Sequence, residues 1–163
     1  MTSATLMATQ EKFAADPEAA KAQPTVVGRL SNGRAELSSG NYTWEADLAP
    51  GLGGTGSAPS PTQYILGALA GCAVAFIHDT LAPQLDIPID DVTATARCRT
   101  DSRGLLGMEG AVPDLTDIEL EISVASSASA EQLAALERTW LERCPIYLAI
   151  ANSNNVAVTL TGG

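Results

Sequence analysis

The apolar run Tyr64-Ile-Leu-Gly-Ala-Leu-Ala-Gly-Cys-Ala-Val-Ala-Phe-Ile77 constrains the fold more than any other part of this 163-residue chain. Ser60 is suited to a helix N-cap, Pro61 to the first helical position, and Gln63 to closing a capping box three residues after Ser60. The spacing predicts a helix from Pro61 to about Ala82, ended by Pro83. Its centre is apolar almost all round, with Ile65, Leu66, Leu69, Val74, Phe76 and Ile77 covering most directions. Gly67, Ala68, Ala70, Gly71 and Ala73 leave thin places where other backbones approach. A helix of this kind must be buried on every side. A small domain with two other modest helices has difficulty enclosing it, so a two-fold partner sharing the core is the simplest remedy. The alternative is a helix enclosed by its own sheet. The run 64–77 is shorter than the roughly 20 residues of a membrane span and ends in His78-Asp79, so it reads as a core helix.

The rest of the chain predicts an α+β fold. Residues 1–24 form an Ala-rich helical lead-in, with Glu11 opening a short helix and Asp16-Pro17-Glu18 starting another. Residues 25–163 read as one domain. Thr25 to Leu30, Arg34 to Leu37 and Asn41 to Ala46 are short strands around the turns Ser31-Asn32-Gly33 and Ser39-Gly40, a small antiparallel meander. After the long helix, Ile89–Thr100 and Asp117–Val124 alternate. Val92, Ala94, Ala96 and Cys98 face inward with Ile118, Leu120, Ile122 and Val124. The outer arginines can then meet the outer acids. Gly104-Leu-Leu-Gly-Met108 is expected to cap the core. Ser129 and Gln132 start a second helix carrying Leu133, Leu136 and Trp140 on one side, Pro145 starts a third, and Val156–Leu160 is a last strand.

Composition narrows the function. A net charge of −10 with no Lys/Arg cluster argues against nucleic-acid partners, which need a basic stripe, and against anionic membrane surfaces. The first residues lack the basic and apolar regions of a signal peptide. Three cysteines without a secretion signal suggest free or redox-active thiols in a reducing cytoplasm.

Two of those thiols stand in unusual places. Cys72 lies inside the apolar helix. Cys144 precedes Pro145 and so takes the N-cap of the third helix, where unpaired N–H groups and the dipole favour a thiolate. One can attack and the other resolve, or both can be packing residues. Cys98, on an inward strand face, reads as core. His78, the only histidine, lies about 120° around the helix from Cys72, so neither a Cys-His dyad nor a zinc site is expected. Pro50-Gly-Leu-Gly-Gly-Thr-Gly lacks a P-loop ending, and no Gly-x-Ser-x-Gly elbow occurs.

The segment Ser57-Ala-Pro-Ser-Pro-Thr-Gln-Tyr-Ile-Leu-Gly-Ala-Leu-Ala-Gly-Cys72, with the distant Arg143-Cys144-Pro145, resembles the OsmC/Ohr family of hydroperoxide-handling proteins. The likeness spans about Thr25 to Leu160. Asp16-Pro17-Glu-Ala-Ala and Gly104-Leu-Leu-Gly are similar to a less characterised OsmC-like subgroup. The resemblance implies an OsmC-like fold, with antiparallel sheets wrapped around long central helices in an intertwined homodimer. It implies a thiol peroxidase acting on organic hydroperoxides without a cofactor or metal. Cys72 becomes a sulfenic acid, Cys144 resolves it to a disulfide, and a dithiol such as dihydrolipoamide restores both.

The residues must supply what that chemistry needs. A thiol of pKa ~8.5 is only a few per cent thiolate at neutral pH. Burial opposes ionisation, and the dipole of the long helix fades well before Cys72. A cation must therefore come from elsewhere. In the family an arginine of the first hairpin reaches the attacking cysteine; Arg29 fits that place better than Arg34. Family reductases also hold that arginine with a glutamate after the helix-start proline, where this chain has Thr62; Glu45 or Asp47 could substitute. Which cysteine attacks first stays open, since the N-cap position also lets Cys144 be the more acidic thiol. A non-catalytic OsmC-like protein that binds a hydrophobic small molecule in the dimer cleft, or senses redox state, is the second reading.

Overall fold

The computed structural model describes residues 3–152 and 154–162. Helix α1 (Ser3–Ala15) leads, longer than the short helix expected. Asp16 then caps a single 3-10 turn over Pro17–Ala20, accepting the Glu18 N–H at 3.2 Å.

Strands β1 (Val27–Ser31), β2 (Arg34–Ser39) and β3 (Tyr42–Ala46) form the expected antiparallel meander. Asn32 (φ 50°) and Gly33 (φ 79°) make a two-residue turn with both φ positive, the turn whose twist suits a hairpin and which asparagine and glycine tolerate best. The register stacks Gly28, Leu37 and Trp44 across the three strands, and Leu30, Ala35 and Ala46 beside them. That face is apolar, yet Leu30 at its edge is 84% exposed. The other face carries Arg29, Arg34, Glu36 and Glu45.

Helix α2 (Pro61–Phe76) begins with the predicted capping box. The Gln63 N–H donates to Ser60 Oγ at 3.3 Å, and the Ser60 N–H donates to Gln63 Oε1 at 2.7 Å. The helix does not stop at Pro83. It passes through a wide π-turn (Ile77–Leu81) into α3 (Ala82–Leu85). In that turn Ala82 N–H bonds back to the Ile77 carbonyl. The wider turn loosens the ladder just ahead of Pro83, which lacks an N–H and crowds the carbonyl four residues back. Asp86, in the left-handed region at φ 53°, ends the helix. The continuous helix is thus 25 residues, long and apolar enough by length and composition to cross a membrane; the shorter run inferred from sequence understated it. Only one stripe of it is buried: Leu69, Ala73, Ile77 and Leu81, spaced four apart. Gly67, Ala68, Gly71 and Ala75 on other faces are exposed.

Strands β4 (Asp91–Arg99) and β5 (Thr116–Ala125) pair antiparallel with the predicted alternation. Their outer faces carry the predicted ion pairs, Arg97–Glu119 at 2.6 Å and Arg99–Asp117 at 3.3 Å. All four side chains are well exposed, so each pair contributes at most about 0.2–1 kcal/mol. The inner face receives α2, chiefly over β4. The connection is short helix α4 (Ser102–Leu105) and a loop, and it does not cap the core: Leu105, Leu106 and Met108 are exposed. Asp101 fixes this hairpin by capping α4 and pairing with Arg103. Gly104 is required where the chain doubles back, since a Cβ there would lie 2.5 Å from the Pro113 nitrogen. The turn's geometry therefore points its leucines away from the body.

Helices α5 (Ala130–Arg143) and α6 (Pro145–Ala151) close the core with Leu136 and Trp140. The expected last strand is not formed. Residues 154–162 pair with no strand among the described residues, and Val156, Val158 and Leu160 are 81%, 85% and 97% exposed. The alternation is there, but the segment joins neither sheet of the chain.

Candidate functional site

The geometry of the long helix and the α5–α6 junction brings two sulfurs together. On α2, Cys72 lies three residues past Leu69, beside the buried stripe and partly covered. Pro145 forbids a continuous helix from α5, so Cys144 takes an extended conformation (φ −68°, ψ 111°). It serves at once as C-cap of α5 and N-cap of α6. Its N–H bonds to the Trp140 carbonyl at 2.8 Å, and its side chain is fully buried. The Cys72 and Cys144 sulfurs, 72 residues apart in sequence, stand 3.1 Å apart as free thiols. A disulfide needs about 2.05 Å, so bond formation requires a movement of about one ångström.

The polar surroundings are sparse. The Tyr147 N–H donates to Cys144 Sγ at 3.5 Å, and the neighbouring Ile146 N–H faces Cys72. These are first-turn N–H groups of α6, which have no partner inside the helix. Against them, burial first, then the hydrogen bond and charge of Cys144, push the Cys72 thiol up from 9.0 to about 11. That direction favours the neutral thiol, so little of Cys72 is thiolate at neutral pH.

Arg29 sits on exposed strand β1 opposite Glu36. Among the described residues no hydrogen bond or ion pair joins it to either sulfur. Arg34 is held instead, donating to Glu45 Oε2 at 2.8 Å, and the Glu45 carbonyl accepts the Tyr64 hydroxyl of α2. Glu45 thus holds an arginine of the first hairpin, but Arg34 and not Arg29. Asp47 holds none. Its buried carboxylate accepts the Leu48 N–H (2.8 Å), the Thr55 N–H (3.1 Å) and hydroxyl (2.6 Å), and the Ser57 N–H and hydroxyl (both 3.1 Å). With the Thr55 hydroxyl foremost and the Ser57 N–H next, these bonds hold Asp47 well below the usual carboxylate range. They wind the glycine-rich loop onto the end of β3 and deliver Ser60 to start α2. Thr62 lies half-buried in the first turn of α2. His78 pairs with Asp79 at 2.8 Å and is exposed. Cys98 faces inward on β4, partly buried.

Sequence reasoning placed Trp140 on the buried side of its helix but missed two features, its ring contact with Tyr147 and a cleft. Trp140 is 3% exposed and stacks on Tyr147 at 5.3 Å between ring centres, tilted by 44°. Trp140 and Tyr147 flank Cys144 in sequence, and the buried indole N–H has no hydrogen-bond partner among the described residues. The spacing Cys144-Pro-Ile-Tyr147, which puts Tyr147 at N3, was the available signal. The second is a cleft of about 750 Å³ between β5 and α5–α6, lined by Ile118, Leu120, Ile122, Leu136 and Trp140 among others. Neither Cys72 nor Cys144 lines it, while Trp140 and Tyr147 do.

The family model for OsmC-like proteins matches residues 54–159, which includes both cysteines. No curated protein matches the chain. Among solved structures, an OsmC-like protein from Mycoplasma pneumoniae superposes with a TM-score of 0.67 at 18% identity, covering 80% of this chain and 89% of that one. An organic hydroperoxide resistance protein OsmC from Legionella pneumophila gives 0.60 at 19% identity, covering 79% and 89%. One from Elizabethkingia anophelis gives 0.60 at 17% identity, covering 79% and 88%. These likenesses support the α+β fold, its antiparallel sheets and its helices, and the matched segment carries the capped helix start, Cys72 and Cys144-Pro145. The chain belongs to the OsmC family.

Proposed function

We propose that this protein is a thiol-dependent peroxidase that reduces organic hydroperoxides. The supporting observation is the 3.1 Å approach of two free thiols remote in sequence. In the reaction, a Cys72 thiolate attacks the outer peroxide oxygen and the O–O bond breaks. The alkoxide takes a proton and leaves as alcohol, and Cys72 becomes a sulfenic acid. Cys144 sulfur attacks that sulfur, water leaves, and a Cys72–Cys144 disulfide forms. A dithiol of the dihydrolipoamide kind returns both thiols and becomes the disulfide itself. Overall, hydroperoxide and two thiols give alcohol, water and a disulfide.

The upward push on Cys72 sets what else is required. Attack needs a thiolate, so a positive charge has to approach, and Arg29 is the proposed source. It lies on a sheet whose apolar face is covered only in part, Leu30 standing exposed, and the long helix also has exposed faces. A homodimer that covers these surfaces in the cytoplasm is part of the proposal, and such a dimer is where Arg29 would meet a Cys72.

The test is turnover of cumene hydroperoxide or tert-butyl hydroperoxide with reduced lipoamide as reductant. Loss of peroxide that vanishes in Cys72→Ser supports the reading; no loss with the wild-type protein, or full loss with Cys72→Ser, refutes it. The high thiol pKa and the apolar cleft favour a second reading, a non-catalytic protein that binds a hydrophobic small molecule. Saturable binding of an apolar fluorescent probe without peroxide turnover would select it.

A further inference from the structure

We infer that the cleft between β5 and α5–α6 binds an uncharged, mainly apolar small molecule and rejects the matching carboxylate. The inference rests on the apolar binding of the second reading above, names the class of ligand, and requires no peroxide chemistry.

The cleft follows from the packing. Helix α2 lies chiefly over β4, so the inner face of β5 is covered less completely. Ile118, Leu120 and Ile122 alternate along that face, each only partly buried. Leu136 and Trp140 of α5 and Leu69 of α2 also line the cleft. These last three belong to the core cluster and are 2–3% exposed. Walls that are part of a close-packed core keep their shape without a guest.

The size suits a small molecule. The cleft holds about 750 Å³, inside the roughly 300–1,000 Å³ usual for small-molecule sites. Apolar walls offer water few partners, so an apolar guest gains by burying most of its surface there.

The charges decide the class. Among the described residues that line the cleft, Glu137 is the only charged one, and no lysine or arginine joins it. Glu137 is exposed on α5, and the chain as a whole carries −10. An entering carboxylate would give up its hydration with no cation to pair with, and would meet a like charge. A hydroxyl loses far less on entry. Tyr147, also in the lining, carries a hydroxyl with no hydrogen-bond partner among the described residues. It supplies a donor and an acceptor for an uncharged polar end.

The experiment uses the full chain and two probes of equal length, bromodecanol and bromodecanoate, each brominated at the chain end so that the bromine quenches a nearby tryptophan. Titration calorimetry above neutral pH is expected to show saturable binding of bromodecanol, with bromodecanoate at least tenfold weaker. Of the two tryptophans, only Trp140 lines the cleft. Bromodecanol is therefore expected to quench Trp44→Phe, which retains Trp140, and to leave the emission of Trp140→Phe unchanged. Glu137→Lys, at an exposed position, is expected to narrow the ratio of the two affinities at least fivefold. Quenching confined to Trp44, or a ratio unmoved by Glu137→Lys, overturns the assignment to this cleft. Equal affinities for the two probes overturn the ligand class and leave the binding reading intact. No saturable binding of either probe overturns both. Peroxide turnover together with bromodecanol binding removes the non-catalytic reading and leaves the cleft assignment standing.

Discussion

Trp140 offers a test in which two substitutions at one position separate two terms. The indole is 3% exposed, lies in the core cluster with Leu69, Leu136 and Cys144, and stacks on Tyr147. Truncation by Trp140→Ala removes a large buried side chain and leaves a cavity, a cost of about 3–5 kcal/mol, part of which is the aromatic pairing of about 0.5–1.5 kcal/mol. Trp140→Phe keeps a ring against Tyr147 and loses only part of the buried area, about 1 kcal/mol. It also removes the indole N–H, which has no partner among the described residues. An unsatisfied buried donor costs about 1–3 kcal/mol, so its removal offsets the lost area. The net change for Trp140→Phe is therefore between about zero and a gain of about 2 kcal/mol. Urea unfolding followed by circular dichroism, at one fixed protein concentration, reads both. With a slope of about 2 kcal/mol/M, Trp140→Ala lowers the midpoint by about 1.5–2.5 M, and Trp140→Phe leaves it unchanged or raises it by up to about 1 M. If Trp140→Phe loses as much as Trp140→Ala, the N–H has a partner and the accounting is wrong.

Arg29→Ala is expected to slow peroxide turnover at least tenfold with no change in the unfolding midpoint, because Arg29 is exposed; unchanged turnover would remove it as the cation. Asp47 binds its proton more weakly when folded than when unfolded, so its contribution is complete above its ordinary value of 3.8 and is lost as pH falls below that toward the folded value. Asp47→Asn should therefore lower the urea midpoint at pH 7 and lose less than the parent as pH falls from about 4 to about 2; parallel losses would contradict the network. Cys98→Ala should leave turnover within about twofold, since among the described residues the close sulfur pair is Cys72 with Cys144 and no contact joins Cys98 to either; a large loss would mean that the wrong thiols have been paired.

Much of this was legible in the residues because the signals were local. The capping boxes at Ser60 and Ser129, the Asn32-Gly33 turn and the alternation of β4 and β5 each come from interactions within a few residues, and each formed as read. The Cys72–Cys144 meeting was legible only through the family resemblance, since no local rule relates positions 72 residues apart. Three readings failed for physical reasons that pattern does not carry. Pro83 was absorbed because a π-turn loosened the ladder ahead of it. Leu105 and Leu106 were expected inside, but α4 and the close approach at Gly104 aim them outward. Val156–Leu160 has strand composition, and composition cannot say whether a sheet edge is within reach. Asp47 was weighed as a holder of arginine; its true partners, Thr55 and Ser57, lie in a loop with no periodicity to reveal them.

The central claim is that Cys72 and Cys144 form one redox unit. The most direct measurement treats the reduced protein with a small excess of cumene hydroperoxide, then counts free thiols and maps disulfides by peptide mass spectrometry. The account predicts loss of two of the three thiols per chain, a single linked peptide pair containing Cys72 and Cys144, and Cys98 still free. Three intact thiols after exposure, or a linkage that includes Cys98 in place of either partner, would contradict it.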